Sequence, residues 1–192
     1  LINVYQFAGE VAKDFNENLN KLLKQGAKGI IVDLRDNPGG WLNACESIAN
    51  NFLDEKLLFY AEDKAKNREN SYTKKGANNI PLNVIINENS ASSSEIFAGA
   101  MKDHERAKLF GVKSFGKGII QSVIPLSDNQ TGFQVTIAQY YTPKGNPVHK
   151  LGIEPDEIVE MPDELKGKLF SLGDLEDPQL KAAYEDMLKK IK

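Results

Sequence analysis

The sequence predicts an α/β protein with a mostly parallel sheet, flanking helices and an antiparallel strand pair. Residues 29–34 (GIIVDL) and 82–86 (LNVII) are apolar runs typical of strands buried on both faces. Apolar residues recur at helical spacing over residues 10–25, between a strand predicted at 1–7 and the one at 29–34. This order favours parallel strands joined by a right-handed crossover. Residues 133–141 (FQVTIAQYY) alternate as an antiparallel strand does.

Helical spacing and strand alternation of apolar residues also predict the remaining elements. A helix with apolar positions between 42 and 52 follows the turn at 35–40, and another runs from the serine-rich segment after residue 86 to about 107. The polar stretch 61–79 is predicted to be a surface excursion with a hairpin around 71–73. Further strands are expected at 57–61, 108–112 and 119–125, and a last helix between Asp177-Pro178 and Ile191.

Composition indicates one ordinary globular domain, residues 1–192. Hydrophobic residues make up 41% and charged residues 27% of the 192. The net charge of -3 gives no general attraction to nucleic acid or anionic membranes, and no apolar run has the length of a membrane span. Cys45 is the single cysteine, which excludes an internal disulfide, and the two histidines lack the spacing of a metal site.

Residues 87–100 (NENSASSSEIFAGA) connect the strand at 82–86 to the next helix and contain four serines within five positions. A serine at such a corner lies where backbone N–H groups are unpaired and the helix dipole favours negative charge. A serine nucleophile needs these conditions when an oxyanion forms beside it. A structural explanation is the alternative, because Ser92 and Glu95 also form the S-x-x-E pattern of a capping box.

A second turn, residues 35–40 (RDNPGG), follows the strand at 29–34. Open α/β sheets bind ligands beyond the carboxyl ends of their strands. The paired glycines would let a substrate come close to backbone N–H groups. A plain Pro-Gly turn is the alternative.

A serine nucleophile needs a base, and neither histidine has a convincing setting. His104 lies in a charged stretch predicted to be a solvated helix face, and His149 follows a proline in a loop. Lys117 instead stands between two glycines and before an apolar run. A lysine base must be neutral, which burial in an apolar pocket can bring about. A surface lysine on a Gly-Lys-Gly turn is the alternative.

Gln121 follows on the same run as Lys117. In an extended strand the two side chains would share a face but lie roughly 13 Å apart. A folded turn at the flanking glycines could bring the amide to the amine, where it would orient a neutral lysine. A polar residue at a strand edge is the other explanation.

Five blocks together resemble the catalytic core of the carboxyl-terminal processing proteases, also called tail-specific proteases. In the family's order they are residues 29–40 (GIIVDLRDNPGG), 90–100 (SASSSEIFAGA), 115–121 (FGKGIIQ), 140–145 (YYTPKG) and 152–156 (GIEPD). The resemblance covers nearly the whole chain. It implies a serine endopeptidase of family S41 with a ClpP/crotonase-like core, which needs no metal or cofactor and acts on protein or peptide substrates with accessible C-termini. It also implies that Ser92 is the nucleophile, Lys117 the general base and Gln121 the support of that lysine.

The resemblance further implies an oxyanion site made of two backbone N–H groups. One would come from Gly39 or Gly40, and the second from Ser93, with Glu95 in a supporting role. The chain departs from the family at Ser93, where alanine is usual, and at Asn89, where glycine is usual. Asparagine tolerates a positive φ and Ser93 keeps its N–H, so neither change removes a catalytic part.

Members of this family usually carry an upstream PDZ domain, which binds the substrate's C-terminus by strand addition. Nothing in residues 1–192 resembles one, and the sequence begins without Met or a signal peptide. We therefore expect an excised core whose PDZ domain lies elsewhere in the parent protein. The resemblance also implies an extracytoplasmic location, periplasmic or secreted.

Two other classes of function remain to be weighed. One is a catalytically silent peptide-binding or scaffold member of the same fold, and the other is a crotonase-type relative that handles thioesters or small ligands. The complete set of Ser92, Lys117 and Gln121 argues against the first, because drift without selection would be expected to lose one of them. Enzymes of the second class stabilise enolates and have no need of a Ser-Lys pair.

Overall fold

The computed structural model describes residues 1–126 and 131–192 and has the predicted α/β architecture. The strands and helices of these residues are, in chain order, β1 (Ile2–Asn3), α1 (Val11–Lys24), β2 (Ile30–Asp33), α2 (Leu42–Ala49), β3 (Leu57–Asp63), β4 (Arg68–Tyr72), β5 (Leu82–Ile86), α3 (Ser93–Asp103), β6 (Lys108–Gly111), β7 (Ile119–Pro125), β8 (Gly132–Tyr141), β9 (Glu157–Ile158) and α4 (Pro178–Lys190). A short 3-10 turn, Asp163–Leu165, precedes α4. None of the helices in the described residues is both long and apolar enough to cross a membrane.

The central sheet has five parallel strands in the order β1-β2-β5-β6-β9. Successive residues of a strand point to opposite faces, so each central strand contributes to two apolar layers. On one face Ile31, Ile85 and Phe110 pack with Leu180, Ala183 and Met187 of α4. On the other face the neighbouring strand residues pack in one large core with residues of α1, α2 and α3. The predicted burial of β2 and β5 on both faces is confirmed.

A second, antiparallel sheet has the strand order β4-β3-β8-β7. The predicted antiparallel pair is therefore part of a larger sheet. Its inner end packs on the core through Phe59 and Tyr140, whose rings meet edge to face at 6.2 Å. Much of β7 and β8 beyond that point is exposed on both faces. The sheet thus brings the start of β7 to the same side of the molecule as the turn before α3.

Several predicted boundaries are wrong. The first strand covers only Ile2–Asn3 of the expected 1–7. Phe7 does not pair with β2 and instead forms an isolated parallel bridge with Gly40. The third helix ends at Asp103 instead of 107, where Glu105 takes a φ of +54°. Residues 61–79 do contain a hairpin, but its turn lies between β3 and β4 and not at 71–73. Strand β9 was not predicted.

Candidate active site

Ser92 lies at a strained corner between β5 and α3. Its φ of +56° and ψ of −117° are rare for a residue with a side chain, and such strain is found mostly at functional sites. Ser92 is half-buried and is the N-cap residue of α3. Ser92 and Glu95 form the capping box that the sequence pattern indicates, because the Ser92 side chain faces the Glu95 N–H and the Glu95 carboxylate accepts the Ser92 N–H. The Ser92 oxygen can only accept in this arrangement, and the contact falls short of a full hydrogen bond, so the hydroxyl proton remains available for chemistry.

The neighbouring serines of the corner are structural. Ser90 and Ser94 are fully buried, and their hydroxyls donate to the carbonyl oxygens of Leu34 (2.7 Å) and Asn37 (3.0 Å). The Ser93 hydroxyl donates to the Gly40 carbonyl oxygen at 3.0 Å. Ser92 is thus the one serine of this cluster that is partly exposed and whose hydroxyl donates no hydrogen bond to the described residues.

Glu95 is completely buried and joins the serine corner to the turn that carries Lys117. Its Oε2 accepts the N–H of Ser92 (2.9 Å) and the N–H of Lys117 (2.8 Å). Its Oε1 accepts the Ser114 hydroxyl and the Gly116 N–H, both at 2.6 Å. A buried carboxylate with four donors is compensated for its loss of water. The sequence pattern indicated its cap position but not this bridge.

The backbone of Lys117 is held, whereas its side chain is free. The Lys117 N–H donates to Glu95 and its carbonyl oxygen accepts the Tyr140 hydroxyl at 2.5 Å. The side chain is exposed, and its amine has no hydrogen bond or ion pair with the residues that the structure describes. The expected burial in an apolar pocket is therefore not found.

Gln121 lies on β7 opposite Thr136 and is exposed. A bulge between Ile120 and Gln121 shifts the strand register at this point. No hydrogen bond joins Gln121 to Lys117 among the described residues, so the structure does not bring the two together in this way. The supporting role of Gln121 stays a prediction.

The Pro-Gly-Gly turn packs directly against the serine corner. A Cβ atom placed on Gly39 would lie 2.7 Å from Ser92 Cβ and 2.9 Å from the Ser93 nitrogen. The Gly39 N–H donates to Asn37 Oδ1 at 2.8 Å, whereas the N–H groups of Gly40 and Ser93 have no acceptor among the described residues. Between the two glycines, Gly40 therefore has the N–H that is free to meet an oxyanion.

Asn37 fixes this turn and was missed by the sequence analysis. It is fully buried, its amide donates to the Val4 carbonyl oxygen (2.6 Å), and its own carbonyl oxygen accepts the N–H of Ala91 (3.0 Å). Asn89, by contrast, needs no positive φ, and its amide donates to Asp36 Oδ1 at 2.8 Å. The expected strain at this corner falls on Ser92 instead.

Two more buried groups meet at the site, and neither was predicted from the sequence. The Tyr140 hydroxyl lies between the carbonyl oxygens of Lys117 and Ser92, and the Cys45 thiol donates to the Ser93 carbonyl oxygen at 3.3 Å. Burial raises the pKa of Tyr140 well above its ordinary value, and the charge of Glu95 raises it further. Burial likewise raises the pKa of the Cys45 thiol. The alternation of β8 could have indicated that Tyr140 faces inwards.

The histidines differ from their predicted surface settings. His104 is half-buried, and its Nε2 lies 2.7 Å from the Leu57 carbonyl oxygen. His149 is also half-buried, its backbone packs against Gly118, and its Nδ1 has no hydrogen-bond partner among the described residues. Among the described residues, no hydrogen bond joins the imidazole ring of His104 or of His149 to Ser92. Residues 1–126 and 131–192 contain no group of three or more His, Cys, Asp or Glu that could hold a metal ion.

The chain is similar in sequence to known peptidases. The model of peptidase family S41 matches residues 1–159. The chain is 44% identical over 179 residues to the carboxyl-terminal-processing protease of Synechocystis sp., covering 92% of this chain and 40% of that protein. It is 42% identical over 186 residues to the protein of the same name from Picosynechococcus sp., covering 96% of this chain and 44% of that protein. The chain thus spans less than half the length of these relatives.

Solved structures give the same result. A photosystem II D1 C-terminal processing protease superposes with a TM-score of 0.78 at 34% identity, over 86% of this chain and 44% of that one. A putative S41 protease from Bacteroides fragilis has a TM-score of 0.78 at 16% identity, over 96% of this chain and 52% of that one. At this identity the match supports only the ClpP/crotonase-like fold. By its sequence and by its structure, the chain belongs to peptidase family S41.

Proposed function

We propose that this chain is the catalytic core of a serine endopeptidase with Ser92 as nucleophile and Lys117 as general base. The observation that carries the proposal is the shared acceptor Glu95 Oε2, which takes the N–H groups of both residues. Two residues from separate elements are thereby held as neighbours. The exposed lysine side chain has the freedom to turn towards the serine hydroxyl.

In the proposed reaction the neutral amine of Lys117 takes the proton from Ser92 Oγ as that oxygen attacks the substrate carbonyl carbon. The negative charge that develops on the carbonyl oxygen is stabilised by the unpaired N–H groups of Gly40 and Ser93. When the tetrahedral intermediate collapses, the C–N bond breaks and the lysine ammonium gives its proton to the leaving amine. Water then attacks the acyl-enzyme, with the same lysine as base, and releases Ser92.

Polypeptides are the substrates that we propose, cleaved near accessible C-termini. The names of the curated relatives describe carboxyl-terminal processing, and the exposed lysine leaves the site open to an extended chain. We further propose that the parent protein carries a PDZ domain outside residues 1–192 and works outside the cytoplasm. Fractionation of the source cells would test the location, and a purely cytoplasmic protein would contradict it.

Labelling with a fluorophosphonate, combined with a peptide-cleavage assay, tests the nucleophile. We expect the probe to attach to Ser92 and the Ser92→Ala variant to lose both labelling and cleavage while its circular dichroism is unchanged. Ser171→Ala is the matched control, because Ser171 is an exposed serine in the segment before α4. Cleavage by Ser92→Ala at more than about a tenth of the original rate would remove Ser92 from this role.

A catalytically silent peptide-binding protein of the same fold is the second candidate. The unpartnered amine of Lys117 and its missing hydrogen bond to Gln121 are the observations that favour it. The labelling experiment separates the two candidates, because a silent member would still bind peptide while its Ser92 would not react with the fluorophosphonate.

A further inference from the structure

Tyr140 touches the backbone on both sides of the proposed Ser-Lys pair. Its hydroxyl oxygen lies 2.5 Å from the Lys117 carbonyl oxygen and 3.1 Å from the Ser92 carbonyl oxygen. Its backbone N–H donates to the Gly118 carbonyl oxygen at 3.0 Å. Strand β8 thus holds the lysine turn by main chain and side chain together.

The tyrosine is fixed in this place and can act only as a donor. Both neighbours of its hydroxyl are carbonyl oxygens, which accept hydrogen bonds, so the hydroxyl keeps its proton and donates mainly to the closer one, Lys117. Burial raises the pKa of Tyr140, which keeps the proton in place in alkaline solution. The ring is held edge to face against Phe59 at 6.2 Å.

Glu95 and Tyr140 act on opposite sides of the same two residues. Glu95 accepts the N–H groups of Ser92 and Lys117, whereas Tyr140 meets their carbonyl oxygens. The peptide groups before and after each Cα atom are therefore both restrained. The lysine side chain, which has no partner among the described residues, is left as the mobile part.

We propose that Tyr140 is a positioning residue that sets the spacing between the nucleophile Ser92 and the base Lys117. The inference rests on the proposed Ser-Lys function and deepens it. Tyr140 is only 2% exposed, so it does not touch substrate and is not itself catalytic. Its hydroxyl acts through the backbone, because a displacement of reacting groups by about 1 Å can cost on the order of 100-fold in rate.

The Tyr140→Phe variant removes the hydroxyl and keeps the ring that packs on Phe59. We expect kcat per labelled site to fall roughly 10- to 100-fold, with KM within about twofold of the original, because reacting groups are misplaced while substrate contacts remain. A merely structural tyrosine would lower the melting temperature and leave kcat per folded molecule unchanged. Tyr141→Phe is the matched control, since its hydroxyl makes only an exposed 3.4 Å contact with Gln139 and its ring stays stacked on Tyr60.

A second readout does not depend on proteolysis. Hydrogen exchange of peptides that cover residues 115–119 should become several-fold faster in Tyr140→Phe and stay unchanged in Tyr141→Phe. Cleavage that survives Ser92→Ala would reject the Ser-Lys function, and the exchange experiment would still test the restraint by Tyr140. If cleavage depends on Ser92, an unchanged kcat in Tyr140→Phe overturns the inference about Tyr140. If cleavage does not depend on Ser92, an unchanged rate of hydrogen exchange at residues 115–119 overturns it.

Discussion

Ser92 shows how the fold keeps a strained residue in place. A positive φ at a residue with a side chain costs about 1–3 kcal/mol and persists only where the surroundings determine it. Here the Ser92 N–H is held by Glu95, and the preceding Ala91 N–H is held by the Asn37 carbonyl oxygen. The result is a hydroxyl at the start of α3 that keeps its proton undonated, next to two N–H groups that have no acceptor among the described residues.

Gly39 is expected to be indispensable because of space as much as backbone conformation. An alanine methyl group there would lie 2.7 Å from Ser92 Cβ, so the corner would have to shift. We expect Gly39→Ala to lower kcat at least about 100-fold, as for misplaced reacting groups. Steady-state cleavage of an unfolded substrate, normalised to folded protein, measures this.

Gly76→Ala is the control for Gly39→Ala. Gly76 also has a positive φ, +118°, but a Cβ atom there would meet nothing within 4 Å. Both variants carry the cost of the backbone conformation, about 1–3 kcal/mol, and only one crowds the site. Equal loss of kcat in the two variants would mean that backbone strain, and not contact with Ser92, explains the effect.

Stability at high pH should depend on Cys45. Burial raises the pKa of its thiol in the folded state, so above about pH 8.5 the unfolded chain loses a proton that the folded chain retains. The unfolded state then binds fewer protons, and the free energy of unfolding falls as the pH rises. Between pH 7.5 and 10.5 the fall should be about 2–3 kcal/mol smaller in Cys45→Ala than in the original chain.

Urea unfolding at both pH values, with a reducing agent present, measures this difference. The alanine variant should start less stable at pH 7.5, because it leaves a cavity, so the change with pH is the quantity to compare. Lysines ionise in both proteins alike and cancel. Parallel pH dependences in the two proteins would show that the thiol ionises equally well in the folded state.

Short motifs in the sequence indicate candidate site residues, whereas the contacts of these residues depend on the fold. Ser92 and Lys117 lie in short motifs whose residue types and positions suggest their chemistry. The contacts of Asn37 and Tyr140 depend on how distant segments meet, since their partners include Val4 and Ser92. Such long-range hydrogen bonds leave no periodic signal in a single sequence.

At the scale of elements, Arg35 ties the end of β2 to the start of α4. Its guanidinium contacts Asp33 at 2.6 Å and Asp177, the N-cap of α4, at 2.7 Å. Burial alone would lower the pKa of Arg35, but hydrogen bonds and attraction from Asp33 and Asp177 raise it instead. Without the arginine, two buried carboxylates would lose the cation that they share, and only backbone N–H groups would remain to compensate their charge.

We therefore expect Arg35→Met to destabilise the fold by about 3–5 kcal/mol, as measured by urea unfolding at pH 7.5. Lys66→Met is the control, because the Lys66–Glu62 pair is exposed at the lysine and an exposed ion pair contributes little to stability. If both variants lose the same small amount, α4 does not depend on this ion cluster.

Element prediction failed for strands that are very short or that carry no apolar pattern. Strand β4 (RENSY) is mostly exposed, so its sequence carries no apolar period and resembled a loop. Strands β1 and β9 have two residues each and exist only because neighbouring strands supply their hydrogen bonds. The buried strands β2 and β5 were predicted closely, because burial on both faces demands a continuous apolar run.

At the scale of the molecule, each of the two sheets positions a different part of the proposed site. The parallel sheet presents the Pro-Gly-Gly turn and the serine corner beyond the carboxyl ends of β2 and β5. The antiparallel sheet delivers Lys117 at the start of β7 and Tyr140 near the end of β8. Glu95 and Tyr140 are among the groups whose hydrogen bonds join the two halves.

The same division predicts what residues 1–192 do on their own. The proposed machinery for bond cleavage lies within this chain, whereas recognition of the substrate's C-terminus would belong to the PDZ domain that we propose outside it. Binding energy from a remote part of the substrate can be used to orient the reacting groups. The chain alone should therefore cleave unfolded proteins slowly and with little preference for their last residues.

The test compares one unfolded substrate with a free carboxyl end against the same substrate ending in an amide or in two aspartates. For residues 1–192 we expect kcat/KM values within about threefold of one another, less than 1 kcal/mol of discrimination. Adding the proposed PDZ domain should favour the substrate with an apolar free C-terminus. Strong discrimination by the chain alone would place tail recognition within these residues, with the polar segment at 61–79 as the first region to mutate, and the expected division of labour would be wrong.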